Sequence, residues 1–86
     1  MYPSVVKVTP SEDYRVLVEF DNNEKGILDM SPYLDFGVFT KLKDPESFKT
    51  VRVSFDTIEW LDGIDLDPKF VYDKSIKEAR LTKPLN

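Results

Sequence analysis

The segment TIEWLDGIDLDP, Thr57 to Pro68, gathers four carboxylates (Glu59, Asp62, Asp65, Asp67) and the only tryptophan, Trp60, into twelve positions. Carboxylates that converge on one point hold calcium or magnesium, hard cations that take several oxygens at about 2.0 to 2.6 Å. Asp62, Asp65 and Asp67 are the candidates for such a divalent-cation site on the acidic stretch from Glu59 to Asp67. Their spacing fits it poorly. DGIDLDP lacks the alternate ligands, the mid-loop glycine and the closing bidentate glutamate of a calcium loop, and in an extended 64–66 segment Asp65 points away from Ile64 and Leu66. A structural role accounts for each acid: Asp62 in a turn with Gly63, Asp65 on a polar face, Asp67 as the cap of a helix opening at Pro68. No metal or other cofactor is assigned.

Catalysis has few groups to draw on. The chain contains no histidine and no cysteine, so neither a Ser-His-Asp nor a Cys-His arrangement is available, and no imidazole titrates near neutral pH. A carboxylate pair such as Glu59 with Asp62 needs burial to drive its two pKa values apart, and this stretch reads as surface. Gly26, Gly37 and Gly63 stand too far apart to form a phosphate-cradling loop. The chain therefore reads as non-enzymatic, with no catalytic residue. Trp60 is either an anchor on an exposed sheet face or part of the core, the more frequent place for a lone tryptophan in a small domain. Trp60, Asp62 and Asp65 are the candidate interaction residues.

These residues must be positioned by a small fold. The chain has 86 residues, 41% hydrophobic and 33% charged, with 6 Phe and 4 Tyr, which is enough apolar surface for one globular domain with a modest core. The absence of cysteine removes disulfides and suits a reducing cytoplasm. MYPSVVKV lacks the basic start and long apolar run of a secretory signal, and no stretch approaches the roughly 18 apolar residues of a membrane span. The overall net charge of −4 is uneven: residues 44 to 67 carry −5 and residues 68 to 86 carry +3. An acidic body disfavours nucleic acid as a partner, since phosphate neutralisation needs a basic stripe.

Period-two alternation predicts a strand from Val5 to Thr9 and another from Tyr14 to Phe20, with Tyr14, Val16, Val18 and Phe20 on one face. The loop DNNE, Asp21 to Glu24, tolerates positive φ, and Lys25 to Met30 returns as the second strand of a hairpin. Ser31-Pro32, Asp44-Pro45 and Asp67-Pro68 each place a capping oxygen before a proline whose φ is already helical, so Ser31, Asp44 and Asp67 are the expected helix N-caps. Val38, Phe39 and Leu42 are expected to plug the core. Val51, Val53 and Phe55 alternate with Arg52 and Ser54. After Asp56-Thr57 the pattern resumes in Ile58 and Trp60, which predicts a second hairpin. From Pro68, Tyr72, Ile76 and Ala79 fall at i, i+4 and i+7 of a helix, with Val71 alongside; its wet face carries Lys69, Asp73, Lys77 and Arg80, and Phe70, nearly opposite the stripe, either packs beneath the first turn or is exposed.

The order Asp29, Leu34, Gly37, Phe39, Leu42, Phe48, Val51, Ile58, Trp60, Gly63, Asp65, Leu66, Pro68, Tyr72 resembles the bacterial family known as domain of unknown function 2442. Most specific is IEWLDGIDLDP followed by VY. Asp62 stands where that family often has Asn, and Asn23 where its first hairpin often has Gly; both keep the turn chemistry. The resemblance implies a small α+β domain. It also implies a small protein partner, since some members look like one half of a two-gene, toxin-antitoxin-like pair; others carry an added helix-turn-helix domain, for which no room is expected after Ala79.

The expected protein is thus a cytoplasmic α+β domain: a small antiparallel sheet built from two hairpins plus an N-terminal strand, short helical turns and one C-terminal helix. Residues 1–81 form the domain and 82–86 a frayed tail. Its expected role is that of a protein-interaction module offering an edge strand, the Trp60 hairpin or its acidic surface to a partner. A homodimer through an uncovered sheet edge is compatible with that role.

Overall fold

The computed structural model of the protein describes residues 2–61 and 63–77. The expectations for Asp62, for Ala79 and Arg80 on the last helix, and for the tail at 82–86 lie outside the described residues. Strands β1 (Val5–Pro10), β2 (Arg15–Phe20) and β3 (Lys25–Asp29) form an antiparallel meander, and the short β6 (Ile76–Lys77) pairs with the far side of β3. Alternation decides which side is wet. Val16, Val18 and Phe20 of β2 and Leu28 of β3 are buried, while Lys7, Glu19 and Lys25 form a row of alternating charge across the opposite face. The β2–β3 turn closes with Asn23 at φ 72°, a conformation asparagine tolerates.

A second antiparallel pair, β4 (Arg52–Ser54) and β5 (Thr57–Glu59), sits beside β1, tied to it by the Val5 N–H to the Asp56 carbonyl at 3.1 Å. Among the described residues, one core cluster draws on both sheets and on the segments that join them, with Phe20, Leu28, Met30, Leu42, Ile58 and Trp60 the largest fully buried side chains. Two helices flank it, α1 (Pro45–Phe48) and α2 (Pro68–Lys74). Asp44 and Asp67 accept the N–H of Glu46 and Lys69, at 3.1 and 2.9 Å, and the prolines occupy the first helical positions. The fold is thus a small α+β domain with antiparallel sheets. Among the described residues, no helix is long and apolar enough to cross a membrane.

Four local expectations are corrected. Ser31 does not cap a helix: it lies inside the 3-10 turn Ser31–Tyr33, and its N–H and Oγ both donate to Asp29 Oδ1, at 3.0 and 2.8 Å. Val38 is exposed. The segment Gly37–Lys43 is 3-10 rather than α, so residues three apart eclipse, and Phe39 and Leu42 share the inward edge while Val38 does not. The second hairpin turns at Phe55 and Asp56, between the paired Ser54 and Thr57, which takes Phe55 out of the alternation.

The last helix also stops early. The helical stripe Tyr72, Ile76, Ala79 is broken at Ser75, which takes an extended conformation (φ −70°, ψ 135°) while its N–H and Oγ both reach the Val71 carbonyl, at 3.1 and 2.5 Å. Ile76 and Lys77 then pair with Ile27 and Gly26. Glycine permits this approach, because a Cβ at position 26 would stand 3.0 Å from the Ile76 carbonyl oxygen and 3.1 Å from the Ser75 Cβ. A pairing between residues some fifty positions apart overrides the local helical period. The buried face of α2 is accordingly Val71, followed by Ser75.

Candidate functional site

The acidic segment is built as a folded-back strand. The Trp60 N–H donates to the Ile64 carbonyl at 2.7 Å, the Gly63 N–H to the Trp60 carbonyl at 3.1 Å, and Glu59 and Asp65 form an antiparallel bridge. Gly63 has φ 78°, which a side-chain-bearing residue rarely adopts. Thr57 Oγ1 fastens the two legs by donating to the Leu66 carbonyl at 2.7 Å. Alternation then turns Ile58, Trp60, Ile64 and Leu66 inward and Asp65 and Asp67 outward.

Trp60 is 1% exposed, its ring 5.9 Å from that of Phe48 and its Nε1–H donating to the Phe48 carbonyl at 2.9 Å. It presents no surface to a partner. Glu59 is half-buried and meets Arg52 Nη2 at 3.1 Å. The Ser54 hydroxyl and the Arg52 guanidinium hold its carboxyl below the usual range, the opposite of what a general acid needs. Asp67 Oδ1 is taken by the Lys69 N–H. Among the described residues, Asp65 has no hydrogen bond or ion pair, and no three His, Cys, Asp or Glu residues are placed to hold a metal ion.

Asp65 and Asp67 instead share a cleft that sequence reading did not assemble. Tyr33, Phe39, Leu66 and Phe70 line it with the two aspartates, around about 270 Å³. Tyr33 comes from the 3-10 turn after β3, Phe39 from the inward edge of Gly37–Lys43, and Phe70 from the first turn of α2. Phe70 meets Tyr33 edge to face with ring centroids 5.1 Å apart, which places the one residue that the helical stripe left over. Nothing short-range in the sequence links these aromatics; their common feature is that all are half-buried.

The other missed residue is Phe55. It is 98% exposed with φ 56°, while Asp56 is not among the positive-φ residues, so the turn has the type II′ signature whose first central position favours glycine. Cross-strand parity would have found it: Val53 lies opposite Ile58, which leaves only residues 55 and 56 for the loop. Tyr14 has a similar φ of 61°, but its hydroxyl donates to the Lys43 carbonyl and its ring packs edge-on against Phe48 at 5.3 Å. Phe55 has neither compensation.

A family model described as "Protein of unknown function (DUF2442)" matches residues 5–77, most of the chain. No curated protein and no solved structure matches it.

Proposed function

The chain belongs to the DUF2442 family of proteins of unknown function, and from that premise we propose that it is a non-enzymatic module whose role is to bind a small protein partner. The observation that supports this is Phe55. A bulky residue held at positive φ costs roughly 1 to 2 kcal/mol, and a fully exposed ring regains nothing from its own domain. Large aromatic rings on rigid elements are the usual anchors of protein interfaces. In the form that the family resemblance implies, the partner is the second protein of a two-gene, toxin-antitoxin-like pair in a bacterial cytoplasm.

Co-purification from the native host, alongside a Phe55→Asn variant, tests the proposal. A stoichiometric partner retained by the wild type and lost by the variant supports it. A clean preparation with no partner under several growth conditions refutes it.

A further inference from the structure

Resting on that interaction reading, we propose that the cleft lined by Tyr33, Phe39, Leu66 and Phe70 receives an arginine side chain of the partner protein, its guanidinium held between aromatic faces and the Asp65 and Asp67 carboxylates. Three observations select this occupant. The first is size: about 270 Å³ lies below the range of about 300 to 1,000 Å³ common for small-molecule and cofactor sites, and suits one side chain. The second is lining: three half-buried aromatic rings border the cleft, two of them packed edge to face, and aromatic rings attract cations and stack on planar ones.

The third is charge. Both oxygens of Asp65, and Oδ2 of Asp67, lack partners among the described residues. Of the bases on the flanking elements, Lys69 pairs with Asp73 at 3.0 Å and Lys43 with Asp35 at 2.5 Å, and among the described residues neither Lys41 nor Lys74 forms an ion pair with either aspartate. A guanidinium supplies donors in a planar fork that matches a carboxylate, where an ammonium offers a point charge.

The probe is N-acetyl-arginine amide, titrated into the full ¹⁵N-labelled chain at fixed ionic strength. Its neutral isostere N-acetyl-citrulline amide and N-acetyl-lysine amide serve as comparisons. The expected result is a set of amide shifts centred on Tyr33, Phe39, Leu66 and Phe70 at millimolar arginine amide, weaker for the lysine probe and weakest for citrulline. Asp65→Asn, an exposed change that disturbs no hydrogen bond among the described residues, should weaken arginine binding about two- to fivefold. Absent or scattered shifts, equal shifts with citrulline, or an unaltered Asp65→Asn titration would overturn the proposal. These results need no partner, so they stand apart from the test of the interaction role. A partner that binds wild type and Asp65→Lys equally would overturn the cleft as its docking point while leaving that role intact. A positive titration with no partner in the host would count against the role alone.

Discussion

Replacing Phe55 by glycine should leave the domain more stable, although it deletes an aromatic ring. In the folded state the ring is 98% exposed, so almost no burial is lost, and the φ of 56° becomes unstrained. Relief of a left-handed conformation at a bulky residue amounts to roughly 1 to 2 kcal/mol. The added freedom of glycine in the unfolded chain takes back about 0.4 to 1 kcal/mol. A net gain of about 0.5 to 1 kcal/mol raises the Tm of a domain this size by roughly 2 to 8 °C. Thermal and urea melts followed by far-ultraviolet circular dichroism measure it, provided that both transitions are two-state. Tyr14→Gly is the internal control, since it relieves a similar φ but removes a ring packed on Phe48 and a hydroxyl bonded to Lys43. It should lose about 2 to 4 kcal/mol. If Phe55→Gly instead destabilised the protein by more than about 1 kcal/mol, the ring would be packing on its own fold, and the case for a binding anchor would fail.

Gly26→Ala should push β6 off the sheet, because the new methyl meets the Ile76 carbonyl oxygen at 3.0 Å; a cost of about 1 to 3 kcal/mol and faster amide exchange at Ile76 and Lys77 are expected. Asp67→Ala should lose about 1 kcal/mol in a urea melt through its cap on Lys69, whereas Asp65→Ala, two residues away on the same cleft, should change stability little. The hydroxyl of Tyr72, then Asn22 and the Lys77 ammonium, hold the Glu24 carboxyl below its usual range. Glu24 thus binds its proton more weakly folded than unfolded, so its contribution is complete above the ordinary glutamate range and disappears as pH falls through and below it. The stability gap between wild type and Tyr72→Phe should narrow over that acid range, and a gap that stayed constant with pH would refute the coupling.

What was legible in the sequence was local. Val16, Val18 and Phe20 alternate because a strand has period two, and Asp44-Pro45 and Asp67-Pro68 open helices because their oxygens reach an amide two residues on. Ser31-Pro32 shares the pattern of a capping oxygen before a proline, but it follows Asp29, whose carboxylate accepts from both the Ser31 amide and its hydroxyl. The early end of α2 depended on Gly26, far away in the chain, leaving room for Ser75 and Ile76. The aromatic cleft was illegible for the same reason: Tyr33, Phe39 and Phe70 meet only once three separate turns have docked. The acidic stretch was legible as a helix cap at Asp67 and as a polar face at Asp65, but not as one wall of a cleft at Asp65 or as an ion pair with Arg52 at Glu59.

Trp60 gives the molecule a built-in optical gauge. Its indole is buried against the Phe48 ring and held by the Phe48 carbonyl, and it is the chain's sole strong emitter. Loosening of the core around Phe48 would wet the ring and redden its fluorescence, while a guest seated among Tyr33, Phe39 and Phe70 touches a lining to which the indole does not contribute. Emission wavelength therefore distinguishes loosening of the interior from occupancy of the surface, without any label being attached.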